Sequence, residues 1–268
     1  MLMGALEQGG MQHRYAGDIG DYMKLAILRA LAPGRRLGIG WWLYPDESHD
    51  GAGRHIAYLQ RPDRWRTLDP VLFDHLGALV EGGQRHVSGL QHEGLLPGAL
   101  YFDEIIPTVG TPTERRLART DWLDRLRAKL EPADLVFLDP DNGFETKGFD
   151  PGAAKAGKSV ALAEIVSLKA PGRFLVVYHH QTRMSGGRAA ELEHWGQRLR
   201  EAGFERVDAL RSSAFSARFF FLLEASEAMR AAAHSLAAHG SGRIAWYPDL
   251  GQREAGTLIK SVGWWKAG

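Results

Sequence analysis

The chain has 268 residues, of which 44% are hydrophobic and 24% charged; 33 Lys and Arg residues oppose 32 Asp and Glu residues, a formal net charge of +1. This composition predicts a buried core and excludes wholesale disorder, and the nearly balanced charge disfavours histone-like binding through a basic tail. The absence of cysteine excludes disulfides, thiolate zinc sites and a cysteine nucleophile.

Hydrophobic periodicity and turn residues predict helices and strands that alternate along most of the chain. From the N-terminus, helices are expected at residues 20–31, 69–80, 113–130, 159–169, 188–202 and 224–238. Strands are expected at residues 37–44, 99–106, 134–138, 173–178, 206–211, 217–223 and 243–246. Such alternation is typical of a mostly parallel sheet with helices on both faces.

The strands at 206–211 and 217–223 are too tightly connected to be parallel, so we predict an antiparallel hairpin at one edge of the sheet. An α/β sheet that ends in such a hairpin resembles that of class I methyltransferases, and we expect a Rossmann-like fold of this kind. A single domain is expected over residues 13–268, with a divergent insert around 55–100 and a flexible tail at 1–12. No apolar run could span a membrane and the N-terminal segment has no signal core, so a cytoplasmic location is expected.

Three polar segments follow predicted strands, at the carboxyl ends where open α/β sheets bind ligands. They are residues 46–54, residues 139–145 (DPDNGFE) and the pair His179 and His180. Asp139 is the most informative residue because it directly follows a buried strand and Pro140 fixes the next backbone angle. The alternative is an ordinary strand-ending turn, since Asp-Pro and Asn-Gly are common turn dipeptides.

Three segments, in the same order, resemble motifs of the large-subunit ribosomal RNA adenine methyltransferases. Residues 13–24 (HRYAGDIGDYMK) resemble the family's R-H-x-F-H-A-G-N-x-A-D-x-x-K-H, with matches at Ala16, Gly17, Asp21 and Lys24. Residues 48–54 (SHDGAGR) resemble T-H-A-G-A-G-R, and residues 139–142 (DPDN) fall where the family has D-P-P-Y. The resemblance covers roughly two-thirds of the chain, and residues 55–100 match poorly.

The resemblance implies a Rossmann-like enzyme that binds S-adenosylmethionine and methylates a nucleic-acid base, in RNA rather than DNA. By the same resemblance Lys24 and His49 face the cofactor, Glu104 holds its ribose hydroxyls and Asp121 lies near its adenine ring. Asp139 is then both catalytic and cofactor-binding. No metal site is predicted.

The implied chemistry concerns an adenine exocyclic amine, which is a poor nucleophile. The carboxylate of Asp139 and the carbonyl of Pro140 could accept its two N–H groups and direct its lone pair toward the methyl donor. Asn142, the third candidate catalytic residue beside Asp139 and Pro140, stands where the family has a tyrosine that stacks on the base, so Phe144 becomes the candidate stacking residue. His179 and His180 could contact the substrate or form a structural pair.

Two other motifs keep alternatives open. Residues 152–159 (GAAKAGKS) match the phosphate-binding pattern G-x-x-x-x-G-K-[ST], although no strand is predicted before them. Asp141, Glu145 and Lys147 contain the elements of a divalent-metal-dependent nuclease. A catalytically inactive RNA-binding protein of the same fold is a third alternative.

Overall fold

A computed structural model describes residues 16–45, 55–83, 85–240 and 242–252. The predicted tail at 1–12, the first three residues of the segment 13–24, and the loop at 46–54, which contains His49, lie outside the described residues.

In the described parts of the chain, nine strands form two sheets. They are β1 (Leu37–Gly40), β2 (Leu100–Phe102), β3 (Leu135–Leu138), β4 (Gly143–Phe144), β5 (Ser159–Val160), β6 (Phe174–His180), β7 (Val207–Ser212), β8 (Arg218–Leu223) and β9 (Ile244–Tyr247). Seven of them make the main sheet in the order β2-β1-β3-β6-β8-β7-β9, while β4 and β5 pair separately in parallel. In the main sheet β8 and β9 run opposite to the other five strands.

The helices cover both faces of the main sheet. They are α1 (Ile19–Leu31), α2 (Pro62–Trp65), α3 (Pro70–Glu81), α4 (Pro112–Lys129), α5 (Leu162–Val166), α6 (Gly187–Glu201) and α7 (Glu227–His239). One core contains the buried side chains of α1, α3 and α7, and a second core contains those of α4, α5 and α6. Neighbouring strand residues alternate between the two cores, as Phe137 and Leu138 do, because successive side chains of a strand point to opposite faces.

The predicted α/β class, the helices on both faces and the antiparallel hairpin of β7 and β8 are confirmed, and the architecture is compatible with a Rossmann-like fold. The hairpin does not form the edge of the sheet, however. Strand β9 pairs with β7 and takes the outermost position. The prediction at the edge was wrong because strand β9 returns to the hairpin after α7, a long-range pairing that local sequence patterns do not reveal.

Residues 159–169 do not form the predicted single helix. Ser159 and Val160 form β5, which pairs with Gly143 and Phe144, and α5 begins only at Leu162. The pairing with β4 keeps the backbone at 159–160 extended, so a helix can start only after it.

The region around 55–100 adds α2 and α3 to the domain, and α3 contributes Leu72 and Leu76 to the first core. Among the described residues, no helix is both long and apolar enough to span a bilayer.

Helix α1 begins at a side-chain cap, because Asp18 Oδ1 accepts hydrogen bonds from the backbone N–H groups of Gly20 at 2.7 Å and Asp21 at 3.0 Å. Eleven of its 13 residues are buried, including Asp21 and Lys24. A helix enclosed to this extent cannot place its charged side chains in solvent. They must find partners inside the protein, which brings α1 into the candidate site.

Candidate functional site

Six polar side chains meet where the carboxyl ends of β3 and β6 approach the start of α1 and the first residue of β8. This strand-end cluster consists of Asp18, Asp21, Lys24, Asp139, Tyr178 and Arg218. Less than a tenth of each residue's surface is exposed. Ionisable side chains are rarely buried in such numbers, and their concentration at strand ends marks the cluster as a candidate site.

The ion pair between Lys24 and Asp139 forms the centre of the strand-end cluster. Lys24 Nζ donates to Asp139 Oδ2 at 2.7 Å and to Asp21 Oδ1 at 3.4 Å. The other carboxylate oxygen of Asp139, Oδ1, is shielded from solvent and accepts no hydrogen bond from any described residue. A buried acceptor in this state costs free energy unless a bound water or a ligand donates a hydrogen bond to it.

Arg218 and Tyr178 form the side of the cluster that faces β8. Arg218 Nε donates to the Tyr178 hydroxyl at 3.1 Å, and Lys24 Nζ lies 5.0 Å from the centre of the Tyr178 ring. With Asp18, Asp21 and Asp139 against Lys24 and Arg218, the cluster holds three carboxyl groups and two cations. Carboxyl oxygens in excess of cations, beside an aromatic ring, suit a cationic group on a ligand.

Burial and neighbouring charges shift the proton affinities of this cluster. Burial raises the pKa of the Asp139 carboxyl, and Lys24 only partly opposes that effect. Burial raises the pKa of Asp21 to about 7, against the opposing charge of Lys24. Burial alone would lower the pKa of Lys24, but the fields of Asp139 and Asp21 outweigh it and raise the pKa, so Lys24 stays charged.

A tight turn carries the chain from Asp139 into β4. The Pro140 carbonyl accepts a hydrogen bond from the Gly143 N–H at 3.1 Å, so one of its lone pairs is used within the turn. The Asn142 N–H donates to the Lys158 carbonyl at 2.8 Å. Gly143 has φ +88°, and a Cβ there would lie 2.1 Å from His179 Nδ1, so this position accepts only glycine without rearrangement.

His179 fixes the turn from the adjacent strand. Its Nδ1 accepts a hydrogen bond from the Phe144 N–H at 3.2 Å, so Nε2 carries the proton and donates to Glu191 at 3.1 Å. Glu191 also accepts hydrogen bonds from the backbone and hydroxyl of Thr182. Burial lowers the pKa of His179. The neutral ring has both nitrogens engaged, which favours the structural role over substrate contact.

Phe144 lies in the second core. It is 2% exposed, and its ring packs against those of His179, Trp195 and Phe221 at centroid distances of 5.0, 4.4 and 5.1 Å. The ring offers no open face to a base, so the structure does not support the stacking role predicted for it.

A cleft of about 1190 Å³ opens beside the turn and the end of β6. Its lining includes Asn142 and His180 together with the cationic side chains of Lys147, Arg183 and Arg198. Burial lowers the pKa of His180, so its ring is neutral at pH 7. The cleft combines cations with apolar surface, a combination that suits an anionic ligand with flat rings.

The two remaining residues predicted to bind a cofactor lie on the surface. Glu104 is exposed, and its carboxylate accepts a hydrogen bond from Arg125 Nε at 2.8 Å. Asp121 is exposed in the middle of α4. No contact among the described residues joins either side chain to the strand-end cluster, and His49 lies outside the described residues.

The phosphate-binding match at 152–159 lacks the required architecture. No strand ends at Gly152, since residues 147–151 form turns and irregular chain, and a 3-10 turn and β5 occupy the positions where a helix should begin. The carbonyls of Ala156 and Ser159 accept hydrogen bonds from Arg119, at 2.8 and 2.7 Å. Lys158 is buried beside the Tyr44 ring. These residues lie on the face of the main sheet that packs against the second core, called here the second face.

Of the three predicted nuclease residues, Glu145 is engaged in hydrogen bonds within the protein. Glu145 accepts hydrogen bonds from the Leu162 N–H and from Arg198, each at 3.3 Å. In the part of the chain that the structure describes, no group of three or more His, Asp and Glu side chains is placed to hold a metal ion.

Three members of the cluster, Asp18, Tyr178 and Arg218, were not predicted from the sequence as site residues. Asp18 could have been found as a helix cap, but Tyr178 and Arg218 enter through the pairing of β6 with β8. No protein-family model matches the sequence, and no curated protein matches it either.

Proposed function

We propose that this protein is an S-adenosylmethionine-dependent methyltransferase that acts on a nucleic-acid base, with an exocyclic amine of adenine in RNA as the acceptor. The observation on which the proposal rests is the buried Asp139 oxygen, Oδ1, that no described residue satisfies. It lies at the carboxyl end of a central parallel strand, where ligands of open α/β sheets bind.

The role of Asp139 follows from its two oxygens. Lys24 holds Oδ2, which fixes the carboxylate, and Oδ1 can accept an N–H of the acceptor amine. The Pro140 carbonyl retains a second lone pair for the other N–H. Fixing both hydrogens leaves the amine lone pair directed outward, so the gain comes from orientation and preorganised dipoles.

The residues around Asp139 fit the cofactor in charge and in hydrogen-bonding capacity. When bound, S-adenosylmethionine supplies an electrophilic methyl group on a sulfonium. The excess of carboxyl groups suits this cation, and Lys24 suits the carboxylate of its amino-acid portion. Trp41 follows β1 and Tyr101 lies in β2, and the buried indole N–H and hydroxyl have no hydrogen-bond partner among the described residues. These two groups are donors available for the nucleoside portion.

The cleft beside the turn is the candidate path for the nucleic acid. Lys147 and Arg183 can neutralise backbone phosphates, whereas Arg198 already pairs with Glu145 in the same cleft. Asn142 belongs both to the lining of the cleft and to the turn after Asp139. A chain with net charge +1 binds nucleic acid only through such a local concentration of cations.

The test is a methyl-transfer assay with labelled S-adenosylmethionine and RNA. We expect the wild type to transfer label and Asp139→Asn to lose about 100-fold or more, because the variant cannot hold the amine as the carboxylate does. Asp150→Asn, which alters an exposed aspartate paired with Arg116, is the matched control and should retain activity. Full activity of Asp139→Asn would contradict the proposed role. RNA binding by the wild type without any transfer would favour the inactive RNA-binding alternative.

A further inference from the structure

The tip of the β7–β8 hairpin carries an exposed aromatic residue in a strained conformation. Phe215 is 70% exposed and has φ +62°, a region that L side chains other than Asn and Asp rarely occupy. Among the exposed large apolar side chains in the described part of the protein, it is the one aromatic; the others are Val71, Ile105, Val109 and Leu117. Strain of this kind persists only where surrounding structure enforces it, and it is concentrated at functional positions.

The hairpin tip lies at the same edge of the sheet as the strand-end cluster. Arg218, the first residue of β8, is in register with both His180 at the end of β6 and Ser212 at the end of β7. The turn between β7 and β8 therefore projects from the carboxyl end of β6. It also adjoins the wall of the cleft, because the Gln181 N–H donates to the Ala217 carbonyl at 3.1 Å.

A residue of the strand-end cluster enforces the conformation of this tip. Arg218 Nη1 donates to the carbonyls of Ala214 and Ser216, both at 3.0 Å, and these two residues flank Phe215. The same guanidinium donates through Nε to the Tyr178 hydroxyl. The position of Phe215 is therefore fixed relative to the cluster by one buried side chain.

The Phe215 ring also lies beside the start of α1. Its centroid is 3.5 Å from that of the His55 ring, with the planes inclined by 35°. The His55 carbonyl accepts a hydrogen bond from the Ile19 N–H at 3.0 Å, which ties this contact to the first turn of α1. An aromatic pair is thus held beside the first turn of α1, with most of Phe215 in solvent.

We propose that Phe215 stacks on an unpaired base of the nucleic acid and positions it at the strand-end cluster. This inference rests on the proposed function and names single-stranded RNA as the ligand of the hairpin tip. Phe144 cannot serve because it is buried, whereas Phe215 combines exposure, rigidity and adjacency to the cationic cleft. Rigid aromatic faces next to cations are the elements by which proteins bind single strands.

The experiment measures binding of a fluorescent single-stranded RNA by anisotropy for four variants. Phe215→Ala should weaken binding by about 5- to 150-fold, the range for loss of one stacked base. Phe215→Trp should bind within about threefold of wild type, whereas Phe215→Leu, which keeps apolar bulk without a π face, should bind as weakly as Phe215→Ala. Leu117→Ala, which removes a comparably exposed apolar side chain on α4, should leave binding unchanged.

Two further measurements separate this inference from the proposed function and from an effect on protein stability. Calorimetry should show unchanged S-adenosylmethionine affinity for Phe215→Ala. If the wild type does not bind the cofactor, the proposed function is rejected, while the RNA-binding result for Phe215 still stands. Phe215→Gly relieves the positive φ and should keep the wild-type Tm while it loses RNA affinity. Wild-type affinity in Phe215→Ala, wild-type affinity in Phe215→Leu, or no RNA binding by the wild type would each overturn the inference.

Discussion

Two sets of buried charged side chains lie on opposite faces of the main sheet. They differ in how many of their polar atoms have a hydrogen-bond partner. Arg119 and Glu164, on the second face, form a bidentate pair at 2.5 and 2.8 Å. The remaining hydrogen bonds of Arg119 go to backbone carbonyls, and Glu164 also accepts one from the Ala161 N–H at 2.7 Å. This arrangement has one cation, one anion and no buried side-chain atom left without a partner.

The strand-end cluster differs both in its balance of charged groups and in the hydrogen bonding of its polar atoms. It has more carboxyl groups than cations, and Asp139 Oδ1 has no partner among the described residues. A protein that needed only a stable ion pair could use the arrangement on the second face. Both regions bury charge, so burial alone does not distinguish them, and the proposed site rests on the charge imbalance and the unsatisfied acceptor together.

The largest expected effect is at Gly143, which links the two regions because it ends the Asp139 turn and pairs with Ser159 beside Arg119. Gly143→Ala places a Cβ 2.1 Å from His179 Nδ1 at a positive φ. We expect the free energy of unfolding to fall by more than about 3 kcal/mol. Urea denaturation measures it, with Gly148→Ala as control, since that glycine also has positive φ but open space around its Cβ position. Equal losses in the two variants would show that backbone strain alone acts.

The next effect compares the two charged groups directly. Glu164→Gln leaves the Arg119 guanidinium buried without an anion and should cost about 3–5 kcal/mol of unfolding free energy. Asp139→Asn leaves two carboxyl groups and two cations in the strand-end cluster, so it should cost less than about 2 kcal/mol. Denaturation at pH 7 measures both. A larger loss in Asp139→Asn would mean that Asp139 serves stability and that the comparison is wrong.

A smaller effect concerns the pH dependence of Asp21. Burial raises its pKa to about 7 in the folded protein, above the ordinary value of 3.8 that holds when the chain unfolds. Between these values the folded protein keeps a proton that the unfolded chain has released, so stability falls as the pH rises and is constant above about 7. From pH 5 to pH 8, Asp21→Asn should gain about 2–3 kcal/mol of unfolding free energy relative to wild type. A pH-independent difference would contradict the shifted pKa.

The smallest effect is expected at the ion pair of Arg116 and Asp150, whose side chains are exposed to solvent. Arg116 Nε lies 3.0 Å from Asp150 Oδ1. Asp150→Asn should leave the free energy of unfolding and methyl transfer unchanged, because water and salt screen exposed charges. A measurable loss would show that ion pairs matter here regardless of burial.

Several features of the protein that depend on local sequence patterns were predicted correctly. The runs of apolar residues located β3 and β6, and Asp139 was predicted at a strand end, where the structure has it. Lys24 was predicted only from the family resemblance, since a lysine on a helix is ordinarily solvated. Its burial depends on α1 being enclosed by other elements, which is a property of the tertiary structure.

Other features depend on long-range pairing that local patterns do not contain. Arg218 joins the cluster because β8 inserts between β6 and β7, and β9 takes the edge that the hairpin was expected to hold. Residues 152–159 match the phosphate-binding pattern in residue type but not in structure. Its glycines and lysine lie in a segment whose carbonyls bind Arg119.

The most direct test of the central claim is calorimetric titration with S-adenosylmethionine of wild type, Asp139→Asn and Arg119→Lys. We predict one bound molecule per chain for wild type, affinity reduced at least about tenfold in Asp139→Asn, and unchanged affinity in folded Arg119→Lys. Binding that Asp139→Asn does not weaken, or no binding by the wild type, would contradict the claim that the strand-end cluster is the ligand site.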